Sequence, residues 1–188
     1  MRFIQSIIVF NSASAGDFLT GLCWSQLNLS SDLLKQESSG RMNIKNQYFK
    51  NITTEMFYNP NSKINLDYNK VHPVENSHYW LDSYKTIAKS CFFIDYPDHI
   101  QENILQIYLE KVLNINWKKN LKSWRNNPEM SSISLEDFFC RSKIQDIVKR
   151  LIDRPIINEE KFNNMYEAWL AKNFKLTSLF SKQNCDHT

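Results

Sequence analysis

The sequence predicts an α/β fold of three layers, a short parallel sheet flanked by helices. Three observations predict it. Residues 3–10 and 89–95 are short, nearly continuous apolar runs rich in β-branched and aromatic residues, the signature of strands covered on both faces. The segments after them carry apolar residues at helical spacing. Strand-like and helix-like segments alternate along the chain, the order that builds crossovers and a parallel sheet.

The first strand, residues 3–10, breaks into the small residues of Asn11-Ser-Ala-Ser-Ala-Gly16. A helix is expected over 15–27, with Phe18, Leu19, Leu22 and Cys23 as its stripe and Ser14 with Asp17 as a capping-box-like pair. Residues 30–69 are polar and Asn-rich, and short helices or loops over one sheet edge are expected there. Residues 70–74 read as a second strand and 80–87 as a short helix. The strand at 89–95 is stopped by Tyr96-Pro97-Asp98, and Asp98 is placed to cap a long helix from His99 to Trp117. Its stripe runs through Ile100, Ile104, Ile107, Tyr108, Leu109, Val112 and Leu113. Residues 126–133, with Asn126-Asn127-Pro128, read as a loop. Ser134 with Asp137 caps a helix through Phe138, Phe139, Ile144, Ile147, Val148 and Leu151, which Asp153-Arg154-Pro155 stops. Asn158 caps the last helix, striped by Phe162, Met165, Tyr166, Trp169 and Leu170. Residues 1–180 are expected as a single α/β domain and 181–188 as a mobile C-terminal tail.

Composition narrows the functional classes. Hydrophobic content is 42% and charged content 23%, which suits a packed globular core. The formal net charge of +3 is too small to argue nucleic acid, but it is compatible with an anionic small-molecule ligand. No apolar run reaches the ~18 residues of a membrane span, so no membrane partner is expected. Arg2, a short apolar run and Ser12-Ala-Ser-Ala15 have the look of a signal sequence, but Gln5 and Ser6 interrupt the apolar core. Cys23, Cys91, Cys140 and Cys185 are widely spaced and form no CxxC pair, so no metal or redox motif is read and a reducing, cytoplasmic setting is expected. The sequence leaves the oligomeric state open.

Three stretches carry residues suited to chemistry. The chain has only three glycines, and two of them, Gly16 and Gly21, lie at the first strand–helix turn. Small residues before a helix start can aim backbone N–H groups at a phosphate, and Ser12, Ser14, Ala15, Gly16 and Asp17 are the candidates. The other reading is a plain turn whose small residues permit close packing. Lys70 and His72 form the second stretch, at the expected end of a strand: His72 could act as a general base, with Lys70 on the same strand face stabilising charge on a leaving phosphate. A structural hydrogen bond before Pro73 is the alternative for His72. The third stretch is Lys89 to Asp98, where a strand ends at Pro97 before a helix.

In their order and spacing these stretches resemble the sulfotransferase family of P-loop-like folds. That family has a phosphosulfate loop of the Pro-Lys-Ser-Gly-Thr-Thr type, a Lys-Thr-His strand and a later strand ending Arg-x-Pro-x-Asp. Lys70-Val-His72 and Lys89 to Pro97 match in outline, and Ser134-Leu-Glu-Asp-Phe-Phe139 is similar to a later acidic-Leu segment. The resemblance covers about two-thirds of the chain. It implies sulfuryl transfer from 3′-phosphoadenosine 5′-phosphosulfate to a hydroxyl acceptor, with His72 and Lys70 as catalytic residues and residues 12–17 holding the donor. The chain departs from the pattern where charge matters. Ser14 stands near the place of the loop lysine, Asp95 in that of the arginine for the 3′-phosphate, and Asn103 in that of a phosphate-binding serine. Charge-assisted bonds are the strong ones in such sites. A non-catalytic relative acting as a small-molecule or protein-binding module, and another nucleotide- or phosphate-binding enzyme, therefore stand beside it.

Remaining candidates carry two readings each. His72, His78 and His99 have no metal-ligand spacing, and no metal is expected. Asp95 and Asp98 could hold a cation or cap a helix. Trp117 to Arg125 interleaves aromatics with cations, so it is either an anion-binding face or a solvated helix with Trp117 and Trp124 packed inward. Tyr166 and Trp169 read as core.

Overall fold

The computed structural model describes residues 4–11, 14–27, 34–36, 42–44, 71–75, 88–100, 103, 117–173, 178 and 180. Ser12, Lys70, His78, the expected helix at 80–87, most of the long helix after Ile100, Cys185 and the tail at 181–188 lie outside the described residues. In chain order the elements are β1 (Ile4–Phe10), α1 (Gly16–Ser25), β2 (Leu34–Gln36), β3 (Met42–Ile44), β4 (Val71–Glu75) and β5 (Ala88–Asp95). Then come α2 (Trp117–Arg125), β6 (Met130–Ser134), a 3-10 turn (Leu135–Phe139), α3 (Arg141–Ile152) and α4 (Glu159–Lys172).

The main sheet has the order β4-β1-β5-β6 and every neighbouring pair is parallel. Register places Ile7 beside both His72 and Cys91, Val9 beside Phe93, and Asp95 beside Ser134. Alternation along the strands then assigns the layers. Ser6, Phe10 and Phe92 share one face. The Ser6 hydroxyl donates to the Leu151 carbonyl at 2.9 Å, the Arg150 guanidinium lies 5.0 Å from the Phe92 ring centre, and Phe10 rests against Gly16. This face is therefore covered by α1 and α3. Phe93 belongs to the opposite face, where its ring lies 6.2 Å from that of Trp124 on α2. Helices on both faces of a parallel sheet give the three-layer α/β fold that the sequence predicts.

Aromatic burial ties α4 to this core. Trp169 stacks on Phe18 of α1, with ring centres 4.3 Å apart and planes within 5°. It also meets Phe138 and Phe139 of the 3-10 turn. Trp24 of α1 is fully buried and donates its indole N–H to the Val71 carbonyl of β4 at 3.0 Å. Each such side chain contributes about 2–3 kcal/mol of apolar burial. Buried Gln26, just beyond α1, accepts from the N–H groups of Ile157 and Asn158 at 3.1 and 2.9 Å and donates to the Asn158 carbonyl at 3.1 Å. One carboxamide thereby fixes α1 to the loop between α3 and α4. Tyr166 and Trp169 are core residues, and the Asn158 side chain caps α4 by accepting from the Lys161 N–H at 2.9 Å.

Four local expectations differ from the structure. Met130–Ser134 is a strand, not the end of a loop. Only Met130 and Ile133 are buried there, and a spacing of three hides a strand whose pattern is buried, exposed, exposed, buried. Within residues 30–69, Leu34–Gln36 pairs antiparallel with Met42–Ile44 instead of forming helix or loop. Ser14 does not cap α1. The N-cap is Ala15, left-handed at φ 61°, and the Ser14 hydroxyl donates back to the Asn11 carbonyl at 2.6 Å. Ser134 does cap, but it accepts from the Glu136 N–H at 3.3 Å at the head of the 3-10 turn, and α3 starts separately at Arg141.

Candidate functional site

A sheet ordered β4-β1-β5-β6 reverses its direction of winding between β1 and β5. In open α/β sheets the crevice at the carboxyl ends of the strands flanking such a reversal is where ligands bind. The residues there are Asn11 after β1, Ser14 before α1, Tyr96 after β5 and Asn120 of α2.

These four side chains are almost wholly buried, between 0 and 2% exposed. The Asn11 amide donates to the Tyr96 hydroxyl at 3.1 Å, and the Asn120 amide donates to the Asn11 carboxamide oxygen at 3.0 Å. The Asn11 main-chain carbonyl accepts from both the N–H and the hydroxyl of Ser14, at 3.1 and 2.6 Å. The Asn120 carboxamide oxygen is buried without a hydrogen-bond partner. Burial, outweighing the bond from Asn11, pushes the Tyr96 hydroxyl up to about 12, so it stays neutral. Behind this network Phe10 fills the space beside Gly16: a Cβ there would lie 2.1 Å from the Phe10 ring. Gly16 thus lies in close contact with Phe10, and among the described residues the crevice between β1 and β5 holds the side chains of Asn11, Ser14, Tyr96 and Asn120.

The next junction, between β5 and β6, differs. Asp95 and Asp98 pair with the Arg125 guanidinium. Its Nε and Nη2 donate to Asp95 Oδ1 at 3.0 and 2.7 Å, Nη1 donates to Asp98 Oδ1 at 2.7 Å, and Nη2 also donates to the Tyr96 carbonyl at 2.8 Å. The carboxylate of Asp95, foremost, and that of Asp98 hold the guanidinium proton more tightly than usual. Beside this clamp an open notch of about 280 Å³ is lined by Asp95, Arg125, Ser132, Ser134 and Glu136 among others. Its lining carries two carboxylates, Asp95 and Glu136, and one guanidinium.

The candidates from the sequence fall as follows. Ser14, Ala15 and Gly16 sit at the turn into α1 as described, and Asp17 is half-buried in its first turn, where a carboxylate suits the helix N-terminus. Lys70 lies outside the described residues, and His72 does not lie at the carboxyl end of its strand. β4 begins at Val71, and His72 is in register with Ile7. At about 3.3 Å per residue, the register sets the His72 backbone about 13 Å short of Asn11 along the strands. His72 is thereby set toward the opposite end of the sheet from the turn into α1. Lys89 is exposed near the start of β5. Trp124 packs inward from α2, as one of the two readings of that segment has it.

Asn11, Asn120 and Gln26 were not legible as partners. The available signal for Asn120 was its position beside Leu121 and Trp124 on the inward stripe of α2. Among the described residues no group of three or more His, Cys, Asp or Glu could hold a metal ion, and no helix is long and apolar enough to cross a membrane. Cys23, Cys91 and Cys140 are buried and form no disulfide with one another, and burial pushes the Cys23 thiol far up. No protein-family model matches the chain, and no curated protein or solved structure matches it either.

Proposed function

We propose that the chain is a protein-binding module on a sulfotransferase-like α/β fold, a non-catalytic relative that does not transfer sulfuryl groups. The observation that carries this reading is the filled crevice between β1 and β5. A phosphosulfate donor would need open space, converging N–H groups and cations there. Instead Phe10 packs against Gly16, and Asn11 is bonded to Tyr96 and Asn120. Seating a phosphate would strand these buried polar groups, at about 1–3 kcal/mol each. The open junction beside it is acidic and suits a cationic group better than an anionic ligand.

One observation favours the catalytic reading: β4 pairs directly with β1, so His72 lies on the strand beside the one that leads to Asn11 and the turn into α1. In that reading His72 would be the base, Lys70 would stabilise the leaving group, and 3′-phosphoadenosine 5′-phosphosulfate would be the donor. Calorimetric titration with adenosine 3′,5′-bisphosphate separates the two. No heat of binding is expected, and saturable binding in the micromolar range would overturn the binding-module reading.

A further inference from the structure

We infer that the chain pairs with a second copy of itself through the loop that enters α4 and the first turns of that helix, Ile157 of each copy entering a notch on the other. This deepens the binding-module reading, on which it rests, by naming the partner. Ile157 is a large hydrophobic residue that is 50% exposed, while its neighbour Ile156 packs against the core. A lone exposed apolar side chain is ordinary on a protein surface. The backbone beneath this one is not. Gln26, buried just beyond α1, accepts from the N–H groups of both Ile157 and Asn158 and donates to the Asn158 carbonyl. The Asn158 side chain in turn accepts from the Lys161 N–H at the head of α4. Ile157 is thereby held outward on a fixed main chain, and a group presented this way loses little freedom when it is bound.

A recess for such a side chain adjoins it. An open notch of about 330 Å³ is lined by Asn158, Glu160, Lys161, Asn164 and Met165. Met165 packs against the core and gives the notch an apolar wall. Glu160 is exposed and Lys161 partly so, which puts one charge of each sign on the lining. Knob, recess, acid and base all fall within residues 157–165. A closed two-fold interface needs one patch that is complementary to itself, and this patch carries both halves of each contact. A half-turn seats each Ile157 against the other copy's Met165 and sets each Glu160 against the other copy's Lys161. A different protein would have to supply the same groups in the same order, whereas a second copy supplies them by symmetry. The formal net charge of +3 is too small to hold two copies apart. So short a patch buries less than a standard interface, and a dissociation constant on the order of 0.1 mM is expected.

The test is sedimentation equilibrium of the full chain from about 10 µM to about 1 mM. The average mass is expected to rise from that of one chain towards that of two. Ile157→Asp is expected to weaken association at least about tenfold, and Ile157→Ser serves in its place should that variant fail to fold. Glu160→Lys and Lys161→Glu are each expected to weaken it by about threefold or more, and the two together to restore it, because the exchanged charges again meet their opposites. A parent chain that stays monomeric over the whole range leaves this face to a different protein and overturns the inference. So does an Ile157 variant that associates as the parent does, or a doubly exchanged chain that stays as weak as the single variants. Adenosine 3′,5′-bisphosphate, titrated into the same sample, reads the other question: if the chain is monomeric and the nucleotide is silent, self-association fails and the non-catalytic reading survives.

Discussion

Two neighbouring junctions at the carboxyl edge of one sheet have been put to opposite uses. Between β1 and β5 the described side chains are buried, neutral carboxamides and a phenol bond to one another, and the Asn120 oxygen has no partner. Between β5 and β6 the junction is partly exposed and charged, and an arginine is clamped by two carboxylates beside an open notch. The difference follows from what covers each. β1 and β5 are interior strands, while β6 is the last strand of the sheet among the described residues. At the place where this kind of sheet ordinarily receives a ligand, the described side chains are packed together, and exposed charged groups lie one strand outward.

Three substitutions break or sharpen that comparison. The largest effect is expected for Gly16→Ala, which drives a methyl group into the Phe10 ring within a closed core. A loss of about 3 kcal/mol in urea unfolding is expected, partly restored by Phe10→Leu in the same chain. An undiminished midpoint would mean that the first junction has room after all.

The next effect depends on pH. A tyrosine titrates near 10 in an unfolded chain, whereas Tyr96 is held neutral up to about 12. As pH rises through this window the unfolded state loses its proton first, so stability falls, by about 1.4 kcal/mol per unit and about 3 kcal/mol in all. Tyr96→Phe should flatten this alkaline decline relative to the parent chain. Matching declines in the two proteins would show that the phenol is not sealed.

The smallest effect is expected at the second junction. Arg125→Gln leaves Asp95 and Asp98 facing each other without their cation, yet the Arg125 side chain is 34% exposed and that of Asp98 77%. A loss of about 0.5–1 kcal/mol, shrinking with added salt, is expected in thermal melts. A larger, salt-insensitive loss would make this junction as structural as the first.

What could be read from the sequence follows from how many faces of each element are covered. β1 and β5 are central strands, so their apolar runs are continuous and visible. β6 is an edge strand with two buried residues among five, and its serines read as loop. Gly16 was legible as a constrained position, but its cause lies in Phe10, and small residues look alike whether they make room for a phosphate or for a ring. The Asn11–Asn120 bond joins residues 109 apart, and neither belongs to a spaced motif that could announce the other. The Ser14 hydroxyl faces backward to Asn11 instead of forward to the helix, a choice that local sequence does not encode.

Cys23 gives the fold a clock. Its sulfur is sealed between α1 and the core, with no exposed surface and with its thiolate strongly disfavoured. A thiol reagent can reach it only in molecules that have opened this layer, and only the thiolate reacts. The rate at which Cys23 is captured therefore counts openings of the α1 layer, one molecule at a time, without any probe being added to the chain.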